Sequence, residues 1–345
     1  MTPPAPFPVV RDATTGRDRL GLSRLPTPLE GAPRLAASLG IAGLSVKRED
    51  LAGYALGGNK MRQLDFILAE ALNAGADTLV TTAGSQSNFC RSLAGAAART
   101  GLACHLHLRA ATGTALVGNL LLDRILGAEI TFTAATDPWD PAIAVELDAI
   151  ADRHRAAGRR PHVVQLTGVT AATGVAGWVS GAAELAADFA AAGGAPDVMV
   201  VVCGSGLSLA GIALGFRSLG LPTRVLGVSA QQPEARLRPW VVEVAAQAAA
   251  RLGLAVRLGP DDFDLADGEI GPGYGRPSEA SLAAVSLAGR TEGLLLDPVY
   301  TGKGMAGLAA AIRAGRVPAS ARVCFLHSGG TPGLFAHAEA FGVAS

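Results

Sequence analysis

The chain has 345 residues, enough for two domains or one large one, and 49% of them are hydrophobic, which can supply a sizeable core. Its 29 Lys and Arg residues equal its 29 Asp and Glu residues, so no charge excess favours nucleic acid or an anionic membrane as partner. The four cysteines form no CxxC pair and no metal-binding cluster with histidine. The Pro-rich N-terminus has no apolar segment typical of a signal peptide. We therefore expect a cytoplasmic protein with reduced thiols and no metal site.

In chain order, the pattern predicts a loose arm over residues 1–20, a helix that ends at Gly40 and a short strand over 44–47. After the glycine turn at 57–58, helices and strands alternate. The predicted strands cover 78–82, 103–108, 129–133, 162–166, 197–203 and 224–228, and the predicted helices cover 62–74, 89–99, 115–126, 140–157, 174–192, 209–219, 236–252 and 279–292.

Two further segments near the C-terminus, LLLDPVYTGKG and VCFLHSGGTPGL, are each predicted to form a strand, a loop and a helix, and residues 255–278 are predicted to be irregular. Strands that alternate with helices of this length indicate an α/β protein with parallel sheets covered by helices on both faces. We predict two doubly wound α/β domains, a smaller one over 60–170 and a larger one formed by 1–59 and 171–345.

The sequence Gly57-Gly58-Asn59 directly before Lys60 predicts a tight turn, because glycine accepts positive φ and asparagine bonds locally. Apolar residues at helical spacing follow, so Lys60 is predicted to begin a helix. The positive end of the helix dipole and partial burial would both lower the pKa of its ammonium group, and the neutral amine is the form that makes a Schiff base. A solvated lysine at a helix start is the alternative, whereas a nucleotide P-loop fits worse because Met61 cannot bind Mg²⁺.

Four loops that follow predicted strands carry polar residues, and ligands of open α/β sheets bind at such ends. These loops cover 84–88, 204–208, 297–303 and 327–331. The glycine-rich loop 204–208 before a helix predicts a phosphate site, with a turn that binds no ligand as the alternative. A dinucleotide is disfavoured because the next strand offers no acid for a ribose. A phosphate loop, a lysine and a loop suited to a carboxylate together fit pyridoxal phosphate and an amino acid.

Five segments, GGNKMRQLDF, GSQSNFCR, VVCGSGLSLAG, LDPVYTGKGMAGL and HSGGTPGL, resemble the D-cysteine desulfhydrase and 1-aminocyclopropane-1-carboxylate (ACC) deaminase family. These are fold-type II, tryptophan-synthase-β-like enzymes, and the resemblance covers nearly the whole chain from Leu22. It implies Lys60 as the Schiff-base lysine and an active site between two domains.

The resemblance also assigns roles to the other site residues. It implies that the phosphate is held by Gly204, Ser205, Gly206, Leu207 and Ser208, that Asn88 bonds the ring hydroxyl and that Ser328 faces the ring nitrogen. It implies that Ser87 is an acid/base and carboxylate contact, that Tyr274 and Tyr300 flank the substrate and act in catalysis, and that Gln86, Asn88 and Phe89 belong to the substrate site.

The chain departs from the family pattern at three positions. Gln63 stands where a second lysine is usual, Phe89 where glutamine or histidine is usual, and Leu207 within a loop that usually has Gly-Gly-Thr. Phe89 predicts an unusual substrate, and Gln63 an altered affinity for the cofactor. Thr301 stands where ACC deaminases have a glutamate that can protonate the ring nitrogen.

From the resemblance we expect a pyridoxal-phosphate-dependent lyase that removes the α-proton and a β-substituent of a small amino acid and yields an α-keto acid and ammonia. D-cysteine is the leading substrate, with L-cysteate, ACC and other β-substituted amino acids as alternatives. A protein that binds the cofactor or a metabolite without turnover is the alternative of another class. The resemblance also implies a homodimer.

Residues near the site have simpler interpretations. We expect Lys303 to be a solvated lysine or a lysine at a helix start, and His327 to be structural. Cys90 and Cys203 are predicted to be small buried thiols, and Trp178 is predicted to lie in the core.

Overall fold

The computed structural model of the chain describes residues 7–111, 113–135, 137 and 140–342. Its strands are, in chain order, β1 (Val9–Arg11), β2 (Asp18–Leu20), β3 (Leu29–Gly31), β4 (Gly43–Arg48), β5 (Thr78–Gly84), β6 (Ala103–Arg109), β7 (Glu129–Thr133), β8 (Pro161–Val164), β9 (Val198–Cys203), β10 (Arg224–Ser229), β11 (Asp264–Ala266) and β12 (Arg322–His327).

The helices of the described residues alternate with these strands. They are α1 (Pro33–Leu39), α2 (Lys60–Asn73), α3 (Asn88–Thr100), α4 (Gly118–Ile125), α5 (Pro141–Ala156), α6 (Ala171–Ala191), α7 (Leu207–Leu219), α8 (Glu234–Leu252), α9 (Glu279–Glu292), α10 (Thr301–Arg313) and α11 (Thr331–Phe335). None of these helices is both long and apolar enough to cross a membrane.

The larger sheet has six strands in the order β11-β10-β9-β12-β4-β3. Its core strand β9 is a continuous apolar run, Val198 to Cys203, as expected for a parallel strand covered on both faces. Alternate side chains of β9 enter two separate cores: Met199 and Val201 contact the core built by α6, α7 and α8, while Val198 and Val200 contact the core of α1, α9 and α10. The sheet is therefore doubly wound.

The smaller sheet has four parallel strands in the order β7-β6-β5-β8. Leu79 of β5 faces a core built by α2, α3 and α4, whereas Val80 faces α5. Because side chains alternate along a strand, His105, His107 and Arg109 of β6 share one face of this sheet. The two parallel α/β sheets predicted from the sequence are thus present.

Glycines allow the long helix α6 to pack closely against its neighbours. A Cβ at Gly177 of α6 would lie 2.3 Å from the carbonyl oxygen of Arg62 in α2, and a Cβ at Gly211 of α7 would lie 2.4 Å from the Cβ of Trp178 in α6. Neither position has room for a larger residue. This close packing fixes α2, which carries Lys60, to the helices of the larger sheet.

Several local predictions are wrong. Residues 9–20 of the predicted loose arm form the antiparallel pair β1–β2, with Leu20 fully buried, while residues 1–6 of that arm lie outside the described residues. The predicted strand in LLLDPVYTGKG is a loop, because Leu294 and Leu296 are buried in the core without pairing to a neighbouring strand. The region 255–278 contains the short edge strand β11, and the other edge strand, β3, pairs antiparallel.

Candidate active site

The turn before α2 is held by contacts with distant parts of the chain. Gly57 has φ +57°, and a Cβ there would lie 2.2 Å from the carbonyl oxygen of Asp50, so glycine is required. The Asn59 backbone N–H donates to the carbonyl oxygen of Ser328 at 3.0 Å, and its side-chain amide donates to Ser208 Oγ at 2.8 Å. The start of α2 is therefore tied to two of the loops that follow strands of the larger sheet.

Lys60 is the first residue of α2, as predicted, and its side chain lines a cavity of about 310 Å³. Burial lowers the pKa of Lys60 to about 8. Its amine makes no hydrogen bond to any other residue in the described part of the chain. A partly neutral amine without a competing partner is the state required for attack on an aldehyde.

Two residues of the predicted phosphate loop, Gly204 and Ser205, line the same cavity. Gly206 has φ +81° and turns the chain into α7, which begins without a side-chain cap. The first N–H groups of α7 therefore remain available to an anion. Ser205 Oγ is buried and has no partner among the described residues, an arrangement that costs free energy unless a ligand bonds to it.

Leu207 and Ser208 do not line the cavity with their side chains. The Leu207 side chain is fully buried in the larger core. Ser208 Oγ accepts hydrogen bonds from the side-chain amides of Asn59 at 2.8 Å and Gln63 at 3.3 Å. Gln63 therefore supports the phosphate loop from behind, and Gly206, Leu207 and Ser208 can reach an anion mainly through their backbone.

These residues fit a phosphorylated pyridoxal group. The unsatisfied Ser205 hydroxyl and the uncapped start of α7 suit a phosphate, and Lys60 suits an aldehyde. A Cβ at Gly204 would lie 3.1 Å from Cε1 of Tyr300, so the absence of a side chain keeps the wall of the cavity open.

The loop from Gln86 to Phe89 forms the opposite wall. Ser87, Asn88 and Phe89 line the cavity, and Ser87 caps α3 by accepting the Cys90 N–H at 3.2 Å. The Asn88 side-chain oxygen accepts a hydrogen bond from Asn119 at 2.9 Å.

The side chain of Gln86 makes its contacts outside this cavity. Its side chain donates to the Val117 carbonyl oxygen and accepts from the Asn119 N–H, and it lines an adjoining cavity of about 760 Å³. The side chain of Gln86 therefore lies outside the cavity that contains Lys60.

Tyr274 and Tyr300 lie together where the two cavities meet. The Tyr300 hydroxyl donates to the Tyr274 hydroxyl at 2.8 Å, and the rings pack edge to face with centroids 6.1 Å apart. Burial raises the pKa of both phenols above their usual range. Both are therefore neutral at physiological pH and can donate or relay a proton.

Asp297 is a buried carboxylate that shapes the segment before α10. It accepts the N–H groups of Val299, Tyr300 and Thr301, and the Thr301 hydroxyl donates to it at 2.8 Å. Thr301 is thus fully buried and does not line the cavity, whereas Ser328 does. The role of Asp297 was missed in the sequence, although it stands only three residues before Tyr300.

Of the two alternatives predicted for Lys303, the helix start is confirmed and the solvated lysine is wrong. It lies in the first turn of α10, but its side chain is fully buried, and its amine donates to the carbonyl oxygens of Ile270 at 2.7 Å and Gly273 at 3.1 Å. It therefore holds the loop that carries Tyr274.

The other simple interpretations are confirmed. Trp178 lies in the core, and Cys90 and Cys203 are buried free thiols. His327 is buried, and its ring nitrogen accepts the Gly329 N–H at 3.4 Å.

Arg109 is a site residue that the sequence analysis missed. It ends β6 and lines both cavities together with Asn88, Tyr274 and Tyr300. The rule that ligands bind at the carboxyl ends of strands would have found it. The loop after Arg109 lacks the glycines and hydroxyls that marked the other loops.

Three possible metal ligands, from β6, β7 and α5, also lie close together. The ligand atoms of His105, Glu129 and His154 all lie within 4.8 Å of one another. His105 already bonds to His154 at 3.1 Å and to Thr131 at 2.9 Å, so its two ring nitrogens are engaged within the protein.

Comparisons with known proteins agree with the geometry of this site. Residues 21–329 match the sequence model of the pyridoxal-phosphate dependent enzyme family. Two relatives are D-cysteine desulfhydrases of Salmonella choleraesuis (strain SC-B67) and Salmonella paratyphi C (strain RKS4594). Each is 39% identical over 325 residues, which cover 92% of this chain and 96% of the relative. A solved structure of an ACC deaminase homologue has a TM-score of 0.84 and 30% identity, covering 94% of this chain and 95% of the other.

Proposed function

This chain belongs to the family of pyridoxal-phosphate dependent enzymes, and from that membership we propose that it is a lyase acting on a small β-substituted amino acid. The proposed products are an α-keto acid, ammonia and the released β-substituent. The relatives named D-cysteine desulfhydrase make D-cysteine the leading substrate, which would give pyruvate, ammonium and hydrogen sulfide. The observation that carries the proposal is the amine of Lys60, which has a lowered pKa and no partner among the described residues and lies in one cavity with Ser87 and the tyrosine pair.

We assign the cofactor to residues on the larger sheet. Lys60 would form the Schiff base, Gly204 and Ser205 with the first N–H groups of α7 would hold the phosphate, and Ser328 would face the ring nitrogen. Asn88 would bond the ring hydroxyl. Pyridoxal phosphate supplies an electron sink for the carbanion that forms when the substrate loses its α-proton.

The substrate would lie between the loop 86–89 and the two tyrosines. The start of α3 suits its α-carboxylate, because Ser87, Asn88 and the positive end of that helix lie there. The Lys60 amine would accept the α-proton of the substrate. The Tyr300 hydroxyl, linked to Tyr274, can pass a proton to the departing β-substituent. Phe89 excludes water from this region.

The first experiment uses the small number of lysines in the chain. Lys47, Lys60 and Lys303 are the only lysines in the sequence. The purified protein should show the visible absorbance of lysine-bound pyridoxal phosphate, and borohydride should remove it and leave the label on Lys60. A screen of β-substituted amino acids for keto-acid release then identifies the substrate. A colourless protein that cannot be reconstituted would refute the proposal.

A cofactor-binding protein without turnover is the alternative of another class. It would give the same absorbance and the same label on Lys60. The keto-acid screen separates the two, because such a protein would release no product from any amino acid.

ACC deamination is a second candidate, favoured by the similarity to the ACC deaminase homologue. Ser328 would offer the ring nitrogen a neutral hydroxyl, and a carboxylate would favour the protonated ring more strongly. Opening a cyclopropane lacks a good leaving group and needs the stronger electron sink. We therefore expect pyruvate from β-chloroalanine and little or no α-ketobutyrate from ACC. Comparable rates would make ACC deaminase the better assignment.

We further propose that residues 60–170 form the smaller domain and that 1–59 and 171–345 form the larger one, which is supported by the division of the strands between two sheets. We also propose a cytoplasmic homodimer that does not bind nucleic acid. Four buried free cysteines support a reducing compartment, and the exposed Leu121 and Ile125 of α4 offer an apolar contact for a second copy. Light scattering of the protein and of Ile125→Lys tests the dimer.

A further inference from the structure

Arg109 is a partly buried cation without a partner. Arg109 lines both cavities, and no hydrogen bond or ion pair joins its guanidinium to another residue within the described ranges. A guanidinium at the wall of a cavity, with no counter-ion among the described residues, is suited to bind an anionic ligand.

The register of the smaller sheet places Arg109 next to the tyrosine pair. Arg109 pairs with Gly84 of β5, so the two residues share one face. A Cβ at Gly84 would lie 3.3 Å from Cε1 of Tyr274, which shows that the tyrosine ring covers this position. Thr82 lies on the same face two residues earlier, lines the first cavity and has a buried hydroxyl without a described partner. A guanidinium and a free hydroxyl therefore lie along one wall.

The two carboxylates that line these cavities have other partners. Asp140 caps α5 by accepting the Ala142 N–H at 2.9 Å, and Asp297 accepts four hydrogen bonds from residues 299–301. Neither makes an ion pair with Arg109. The positive charge of Arg109 thus remains available to a molecule that enters the cavity.

We infer that Arg109, assisted by Thr82, binds a negatively charged group on the β-carbon of the substrate. This inference rests on the proposed function, which assigns the α-carboxylate to the start of α3 and so leaves Arg109 for a second anion. A guanidinium matches a carboxylate, sulfonate or phosphate with two parallel hydrogen bonds, and the threonine hydroxyl can donate a third. Among the β-substituted amino acids of the proposed function, this contact favours those with an anionic substituent.

Cysteate illustrates the balance of the reaction. The α C–H and β C–S bonds break, and the C–S electron pair leaves with sulfur. Water then replaces nitrogen on the α-carbon, so cysteate and water give pyruvate, ammonium and hydrogensulfite. Arg109 would hold the sulfonate until it departs. A neutral substrate such as β-chloroalanine would make no use of this contact.

The test compares binding of anionic and neutral amino acids. Both enantiomers of aspartate and alanine, which carry no good leaving group, are titrated calorimetrically into the wild-type holoenzyme and into Arg109→Met, Arg109→Lys and Arg313→Met. Arg313 is exposed in the last turn of α10 and serves as the matched control. We expect aspartate to bind the wild type more tightly than alanine. In Arg109→Met this advantage should fall by roughly 10- to 100-fold, in Arg109→Lys by less, and in Arg313→Met not at all.

Turnover gives an independent readout. Arg109→Met should raise KM for cysteate or O-phosphoserine much more than KM for β-chloroalanine. Equal loss with anionic and neutral compounds, or equal binding of aspartate and alanine by the wild type, would overturn the inference. If Arg109→Met does not fold, two other measurements test the inference. One is the ratio of aspartate to alanine affinity in the wild type, and the other is the same ratio in Thr82→Val. Failure of the proposed function is distinct: no variant would then act on β-chloroalanine, while the aspartate titration would still report on Arg109.

Discussion

Lys60 and Arg62 lie two residues apart on α2, yet they have opposite surroundings. Arg62 is buried against the larger sheet and donates to Glu49 at 2.8 Å and to Glu184 at 2.7 Å. Burial alone would lower the pKa of Arg62, but the two carboxylates outweigh it and raise the pKa. Lys60 has no such carboxylate within the described part of the chain, and burial lowers its pKa to about 8.

The same contrast separates other cations of the molecule. Lys47 is fully buried and forms ion pairs with Glu184 at 2.6 Å and Asp188 at 2.5 Å. Arg109, at the cavity, has no such pair among the residues that the structure describes. Cations with protein partners hold elements together, and cations without them line the cavity where a ligand can bind. The predictions that follow test this division, beginning with the largest expected effect.

Replacement of Lys60 should abolish activity without affecting the fold. In Lys60→Ala we expect turnover of the best substrate to fall by at least about 10²–10⁴-fold, since both the Schiff base and proton transfer need the amine. The melting temperature of the cofactor-free protein should stay close to wild type, because no ion pair is lost. Steady-state kinetics and circular dichroism measure the two effects. Near-wild-type turnover would contradict the role of Lys60.

Replacement of Arg62 should have the opposite result. Arg62→Met leaves Glu49 buried without its cation, and loss of one partner of a buried pair costs about 3–5 kcal/mol. For a chain of this size we expect the melting temperature to fall by roughly 5 °C. Activity per folded molecule should stay within a few-fold of wild type. Arg313→Met, at an exposed position, is the control for loss of an arginine. An unchanged melting temperature would show that this ion pair does not support the fold.

The lowered pKa of Lys60 predicts how reconstitution depends on pH. With a pKa of about 8, about one tenth of the amine is neutral at pH 7, against about one in 3,000 for a lysine at its usual 10.5. The rate at which cofactor-free protein recovers its visible absorbance should rise about tenfold per pH unit below 8 and then level off. Stopped-flow absorbance measures this rate. A rate that keeps rising to pH 10 would mean that Lys60 titrates like a solvated lysine.

Replacement of Phe89 should have the smallest effect on activity. It changes the surroundings of the cations that line the cavity and not the cations themselves. Its apolar ring lines the cavity beside Ser87. Phe89→His introduces a polar group where relatives of this family usually have one, and we expect kcat/KM to shift by a few-fold toward D-cysteine relative to other substrates. Kinetics with a panel of amino acids measures the shift. An unchanged substrate profile would show that Phe89 does not influence specificity.

The sequence predicts much of this arrangement because its signals are local. The glycines before Lys60 predict the turn and the start of α2, and a run of β-branched residues predicts β9. Other features depend on distant residues. Leu294 to Leu296 has the composition of a strand, but it has no neighbouring strand to pair with. The burial of Lys303 depends on a loop some thirty residues earlier, whose carbonyl groups replace water around the amine.

Arg109 illustrates the same limit at the site. Its role depends on the absence of a partner, and absence of a contact cannot be deduced from composition or periodicity. Tyr274 and Tyr300 are similar, because nothing in the sequence between them specifies that their hydroxyls meet at 2.8 Å. The sequence thus shows which residue types the site contains, whereas only the complete fold shows which of these residues contact each other.

The attachment of Lys303 has a mechanical consequence. Tyr300 directly precedes α10. Lys303, in the first turn of that helix, donates hydrogen bonds to the segment that carries Tyr274. Both tyrosines are therefore attached to the same helix, α10. A small displacement of α10 carries both rings in the same direction, so the spacing of their hydroxyls is conserved while their distance from the opposite wall changes. The width of the cleft can then change without a change in the alignment of the two tyrosines.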